Sequence, residues 1–170
     1  TFLCLSKGIT SGYLPLSATL TTDEIYSAFY GETWKLFIHS HSYSANPLAC
    51  AVANETLCML TENNFLESLK PKIAAIKEYG KQFDGIEGYG EFRQTGMIAA
   101  LELVRKKKER FPLRKRVGYQ IFLEGLKRGL FLRPLGDVVY FIPPLVITEE
   151  EIAVMLNTAH DCINTVLKCH

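Results

Sequence analysis

The spacing of apolar positions divides the chain into short strands and longer helices. "FLCLS" (residues 2–6) is an apolar run stopped by Lys7-Gly8 and reads as a buried strand. "PLSATL" (15–20) reads as a second strand and "KLFIH" (35–39) as a third. Between them, "TTDE" (21–24) has the form of a capping box, Thr21 with Glu24 three residues on, and predicts a helix to about residue 29. Asn46-Pro47 supplies an N-cap followed by proline at the first helical position. The stretch from 47 to about 60 is Ala, Leu, Val and Cys almost all round, which predicts a deeply buried helix.

"TENN" (61–64) interrupts that pattern and marks the expected domain boundary, giving units 1–62 and 63–170. Leu66, Leu69, Ile73, Ile76 and Phe83 then recur at helical spacing, with Pro71 a kink or a restart. Asp84-Gly85 and Gly88 to Gly90 mark a loop, and "GMIAALELV" (96–104) a strand. Residues 115–128 place Val117, Ile121, Phe122 and Leu126 on one helical face, closed by Gly129. "VVYFI" (138–142) is a strand stopped by Pro143-Pro144. Thr148 with Glu151 forms another capping box, opening a helix striped with Ile152, Met155, Leu156, Ala159, Ile163 and Val166. The class is therefore α/β.

Composition adds limits. At 170 residues, 48% hydrophobic and 22% charged, the chain can bury a core. A net charge of +1 gives no field that argues for nucleic acid or a membrane surface. No apolar run is long enough to span a bilayer, and no basic segment precedes an apolar stretch at the start, so no signal peptide is read there. Five cysteines without CxxC spacing, most in apolar or helical contexts, suit reduced, buried thiols in the cytoplasm. The chain opens at Thr1 almost directly in a strand and reads like the latter part of a longer protein.

Three places carry chemistry. Lys7 ends a strand at a turn containing Gly8 and Gly12; a desolvated lysine there would have a lowered pKa and an amine able to condense with an aldehyde. A surface-turn lysine is the alternative. In "SHSYSAN" (40–46), the hydroxyls of Ser40, Ser42, Tyr43 and Ser44, with free backbone N–H groups before a helix N-terminus, suit a phosphate. An ordinary hydroxyl-rich turn is the alternative. His39 and His41 share a side of any strand they occupy, but no third ligand stands at metal-binding spacing, so no metal is expected. Arg133, before Pro134, could clamp a carboxylate bidentately or pair with a structural acid such as Asp137. The basic run at 105–116 has Phe111 as its one aromatic and reads as a solvated connector.

The order "LSKGITSGYLPLSAT", "FIHSHSYSANPLACAVAN", "RQTGMIAALELV", "LRPLGDVVYFIPPLVIT" resembles the class III aminotransferases that use pyridoxal 5'-phosphate (PLP). This resemblance implies a PLP-dependent transferase of fold type I: the end of the large-domain sheet followed by a small C-terminal α/β domain. It implies that Lys7 holds PLP and is the catalytic amine. His41 and Ser42 would contact the phosphate of PLP bound by the neighbouring subunit of a homodimer, and Ser40 would lie at the substrate position. Ser40 replaces the family's glycine, so its side chain would crowd that pocket. Arg133 would receive the acceptor's carboxylate, with Tyr140 on the pocket wall. "RPLGDVVYFIPP" favours the branch of biotin biosynthesis that aminates 8-amino-7-oxononanoate with S-adenosylmethionine (or lysine) as donor. The alternatives are another ω-amino acid, ornithine or diamine transaminase of the class, or a non-catalytic interaction module. The family's acid for the pyridine nitrogen, its Gly-Ser phosphate loop and its ring-stacking aromatic precede the Lys strand, so these residues alone are expected to lack half of the cofactor site.

Overall fold

The computed structural model describes residues 1–105 and 109–169. The basic run read as a connector includes residues 106–108, which lie outside the described residues. The chain forms two compact units, Thr1–Leu66 and Glu67–His170.

In the first unit, strand β1 (Phe2–Ser6) pairs antiparallel with β2 (Ser17–Thr21), Phe2 opposite Thr21 and Ser6 opposite Ser17. Every residue of β1 is exposed, against the expectation of a buried strand. A two-stranded ribbon with no layer packed on it leaves both faces to solvent. Thr21 is consumed by that pairing, so the expected capping box does not form. Helix α1 (Asp23–Ser27) starts from Thr22 without a side-chain cap, and the Thr21 hydroxyl donates to the Thr1 carbonyl at 3.3 Å. The expected strand at 35–39 is also absent. Thr33–Lys35 makes a short 3-10 turn, and the rings of Phe29, Phe37 and His39 gather locally at 5.9 and 5.6 Å instead of entering a sheet.

Helix α2 (Pro47–Thr61) begins as its sequence dictates, with Asn46 Oδ1 accepting from the Leu48 and Ala49 amides at 3.0 and 3.2 Å. Its buried positions are Ala49, Ala53 and Thr56, while Leu48, Leu57 and Met59 are exposed, so it is not buried all round. The small buried side chains bring it against the turn that carries Lys7, where Thr56 Oγ1 meets Ser11 Oγ at 3.2 Å.

Helix α3 (Phe65–Gly80) runs through Pro71 without restarting and leads into a 3-10 turn, Lys81–Gly85. In the second unit β3 (Tyr89–Thr95), β4 (Ile98–Leu103), β5 (Arg133–Leu135) and β6 (Val138–Phe141) form an antiparallel sheet ordered β3-β4-β6-β5. The strands β3 and β5 were not anticipated. Helix α4 (Val117–Lys127) closes with Gly129 at φ +76°, and α5 (Glu149–Leu167) opens with the expected capping box.

Alternation decides the layering. Ala99, Leu101, Leu103, Val139 and Phe141 are buried on one face, where Leu101 opposes Val139 and Ala99 opposes Phe141. Phe83 lies against Phe92, Phe141 and His160 with ring centroids 5.8, 6.3 and 5.9 Å apart, beneath the apolar stripes of the helices. Ile76, Val117, Ile121, Ile152, Leu156 and Ile163 complete this core. Arg93, Ala100, Tyr140 and Arg133 are successive cross-strand partners, a row on the opposite face. Of the five cysteines, all unpaired, Cys162 is buried; Cys4, Cys58 and Cys169 are exposed, contrary to the expectation of buried thiols. Cys162 falls on the inward stripe of α5, whereas strand and helix positions elsewhere leave the thiol outward. Among the described residues no helix is long and apolar enough to cross a membrane.

Candidate functional site

Lys7 opens the 3-10 turn Lys7–Thr10 immediately after β1. Its φ is +53°, and Ser11 beyond the turn has φ +51°. A side-chain-bearing residue in the left-handed region carries roughly 1–2 kcal/mol of strain, which persists only where the surroundings enforce it. Here Thr10 does so. It is fully buried, and its hydroxyl donates to the Leu14 carbonyl at 2.5 Å with the Lys7 carbonyl at 3.4 Å. A glycine at position 7 would relieve the strain, so the lysine stands there at a local conformational cost.

The Lys7 side chain is exposed, not desolvated as the strand pattern had implied, because β1 is covered by no second layer among the described residues. It nevertheless lines a cleft of about 920 Å³ together with Tyr13, Ser17, His41, Tyr43 and Ser44. Of the loop residues singled out from the sequence, His41, Tyr43 and Ser44 line this cleft; Ser40 and Ser42 are exposed and are not among its lining residues.

The loop's wiring differs from the expected cradle of free amides. The His41 amide donates to Ser44 Oγ at 3.3 Å and the Tyr43 amide to His41 Nδ1 at 3.1 Å. The Ser44 and Asn46 amides donate to the His41 and Tyr43 carbonyls at 3.0 and 3.3 Å. A short polar loop with no sheet to join satisfies its own backbone, which spends those donors internally. One consequence is useful. Nδ1 accepts from Tyr43, so in the neutral ring the proton sits on Nε2, free to donate to an anion. Lys7 thus offers an amine for an aldehyde, and His41 an imidazole N–H with neighbouring hydroxyls for a phosphate; each of these two donor sets, taken separately, fits one end of PLP. Tyr13, directly after Gly12, was not anticipated, because a single exposed tyrosine after a turn carries no spacing signal.

Arg133 belongs to the second unit. It opens β5 directly opposite Tyr140 on β6, and both line a cleft of about 890 Å³ with Phe131, Ile142, Val146 and Met155. Among the described residues the Arg133 guanidinium makes no ion pair. Asp137, the alternative partner, is engaged elsewhere: its Oδ2 accepts from the Phe111 amide at 3.2 Å. Burial pushes the Asp137 carboxyl above the usual aspartate range, against the opposing pull of the Phe111 amide and Arg110. A planar cation with no acid of its own, on an apolar wall beside a tyrosine, suits a carboxylate at the end of a largely apolar molecule. Among the described residues no group of three or more His, Cys, Asp or Glu side chains could hold a metal ion.

Comparison with known proteins matches residues 2–163 to the family model described as aminotransferase class-III. The adenosylmethionine-8-amino-7-oxononanoate aminotransferase of Aquifex aeolicus is 47% identical over 161 residues, 92% of this chain and 36% of that protein. The enzyme of the same name from Geobacter sulfurreducens is 46% identical over 96% of this chain and 37% of its own length. A crystal structure of the Methanocaldococcus jannaschii enzyme of that name superposes with a TM-score of 0.92 at 39% identity, covering 96% of this chain and 38% of that one. The chain therefore spans a little over a third of the length of the relatives it matches, and its architecture is that of the C-terminal portion of the fold type I transaminases.

Proposed function

Since the chain belongs to the class-III aminotransferase family, we propose that the whole protein is a PLP-dependent transaminase of biotin biosynthesis. It would aminate 8-amino-7-oxononanoate to 7,8-diaminononanoate, with S-adenosylmethionine as the donor. The observation that carries the reading is Lys7: a turn braced by the buried Thr10 holds it in the left-handed region, directly after β1 and at the edge of a cleft. The names and identities of the relatives support the choice of acceptor.

Lys7 would hold the cofactor through its amine, and His41 with Ser42 would meet the phosphate of PLP held by a second copy in a homodimer. When bound, PLP supplies an electron sink that stabilises the carbanion left when the donor carbon loses its proton. The chain's own groups do the rest. The Lys7 amine, when free, would take the proton from the donor carbon and could return it. The αL turn fixes the direction in which the Lys7 side chain leaves the backbone. Arg133 makes and breaks no bond: it holds the acceptor's carboxylate and so orients the acceptor. Tyr140 closes the wall beside it, and Ser40 occupies the position at which the substrate enters. The units act as the end of the large domain, 1–62, and the small domain, 63–170, of a cytoplasmic enzyme.

The test uses full-length protein loaded with PLP and given 8-amino-7-oxononanoate with S-adenosylmethionine, lysine, alanine or glutamate in turn. Formation of 7,8-diaminononanoate with S-adenosylmethionine, lost in Lys7→Ala, is expected. Product with none of the four donors, or undiminished turnover in Lys7→Ala, would overturn the reading.

A further inference from the structure

The second unit also contains a device that fixes Arg133. Strands β5 and β6 are joined by the two-residue turn Gly136-Asp137, with Leu135 opposite Val138. Gly136 has φ +61°, which a tight hairpin requires and glycine adopts freely. Three neighbours grip this turn. The Leu103 amide donates to the Asp137 carbonyl at 2.9 Å, and the Phe111 amide donates to Asp137 Oδ2 at 3.2 Å. The first turn of α4 lies so near that a Cβ at Gly118 would sit 2.1 Å from the Gly136 carbonyl oxygen. Two of these contacts are made by backbone; the third depends on one side chain. A three-residue edge strand has few ladder bonds with which to set its own position. What holds the turn therefore decides where the Arg133 guanidinium stands.

We propose that Asp137 is a positioning residue for Arg133, tying the β5–β6 turn to the Phe111 amide so that the guanidinium meets the acceptor's carboxylate in a fixed direction. The proposal rests on the carboxylate-binding reading of Arg133. Asp137 is on the turn and Arg133 at the far end of β5, so the effect is transmitted through the hairpin. Fork-to-fork pairing of guanidinium and carboxylate depends on orientation, so a small rotation of β5 weakens acceptor binding and leaves proton transfer at Lys7 untouched. Arg110 and Glu102, the charged groups acting on Asp137, belong to the connector and to β4.

The experiment is a double-mutant cycle in the full-length, PLP-loaded enzyme, read as KM for 8-amino-7-oxononanoate against kcat. D137A should raise KM about fivefold or more with kcat within about twofold of the parent, and D137N, which keeps an oxygen acceptor for the Phe111 amide, should restore it. In an R133A background D137A should add less than about twofold, because the residue it acts through is gone. If D137A is not obtained folded, D137L, of comparable bulk and without an acceptor, takes its place with the same expectation. A parental KM in D137A while R133A raises it would overturn the proposal and leave the carboxylate reading standing. So would an undiminished effect of D137A on top of R133A. A parental KM in R133A would remove that reading and the proposal with it.

Discussion

Gly118→Ala offers a measure of how tightly α4 is locked to the β5–β6 turn. The added methyl would lie 2.1 Å from the Gly136 carbonyl oxygen and 2.8 Å from Pro134 Cβ, and the former is about 1 Å inside any approach such atoms tolerate. Neither neighbour can rotate away: one is backbone and the other a ring. The cost therefore falls at the upper end of the range for overpacking, about 3 kcal/mol. Replacing glycine by alanine inside a helix returns about 1 kcal/mol. The net expectation is a loss of about 2 kcal/mol, carried by α4 and the hairpin it touches. Native-state hydrogen exchange of the full-length protein reads this locally: amides of α4 and β6 should exchange about 30-fold faster. Gly85→Ala, with nothing within 4 Å of its Cβ and an ordinary φ, is the control and should change exchange little. Exchange of α4 within twofold of the parent in Gly118→Ala would refute the argument that this contact is close and rigid.

Thr148→Ala removes a reciprocal cap, in which Thr148 Oγ1 accepts from the Glu151 amide at 3.1 Å and Glu151 Oε2 from the Thr148 amide at 2.8 Å. It should cost about 1 kcal/mol, seen as roughly fivefold faster exchange at the start of α5. Asp137 sets a pH dependence. Its folded carboxyl titrates above the ordinary 3.8, so its contribution to stability is fully present below that pH and is lost as pH rises through the native titration. An asparagine does not titrate, so Asp137→Asn should gain stability relative to the parent between pH 3 and pH 7 in chemical denaturation. A difference that stays constant with pH would contradict this. Glu124 has the opposite sign. Hydrogen bonds from Lys127 and then Arg128 hold its carboxyl below the ordinary 4.5, so its stabilisation is present above that pH and is lost on acidification. Glu124→Gln should flatten that part of the acid-unfolding profile.

The elements with strong local chemistry were the ones legible in the sequence. Asn46-Pro47 and the Thr148–Glu151 box begin helices by satisfying orphan amides, a local matter, and both helices start there. The strands β3 and β5 were illegible for different reasons. "YGEFRQT" mixes glycine and charge with its inward residues, and "RPL" contains a proline, which an edge strand accepts because it need not donate on its outer side. Thr21 shows a cap signal losing to a tertiary pairing. Burial was overstated for β1 and α2 because apolar content says that a face wants a partner and not that one is present. At the site, the strand-to-turn position of Lys7 was readable, as was the polar loop holding His41. The left-handed backbone at Lys7 and the internal use of the loop's amides depend on hydrogen bonds that no residue pattern encodes.

The central claim is that the Lys7 amine attaches to the aldehyde of PLP. Full-length protein incubated with PLP, reduced with borohydride and digested should yield a peptide carrying the reduced cofactor on Lys7, with loss of the yellow absorbance. A cofactor label on any other lysine, or a colourless protein with Lys7 unmodified, would contradict the account.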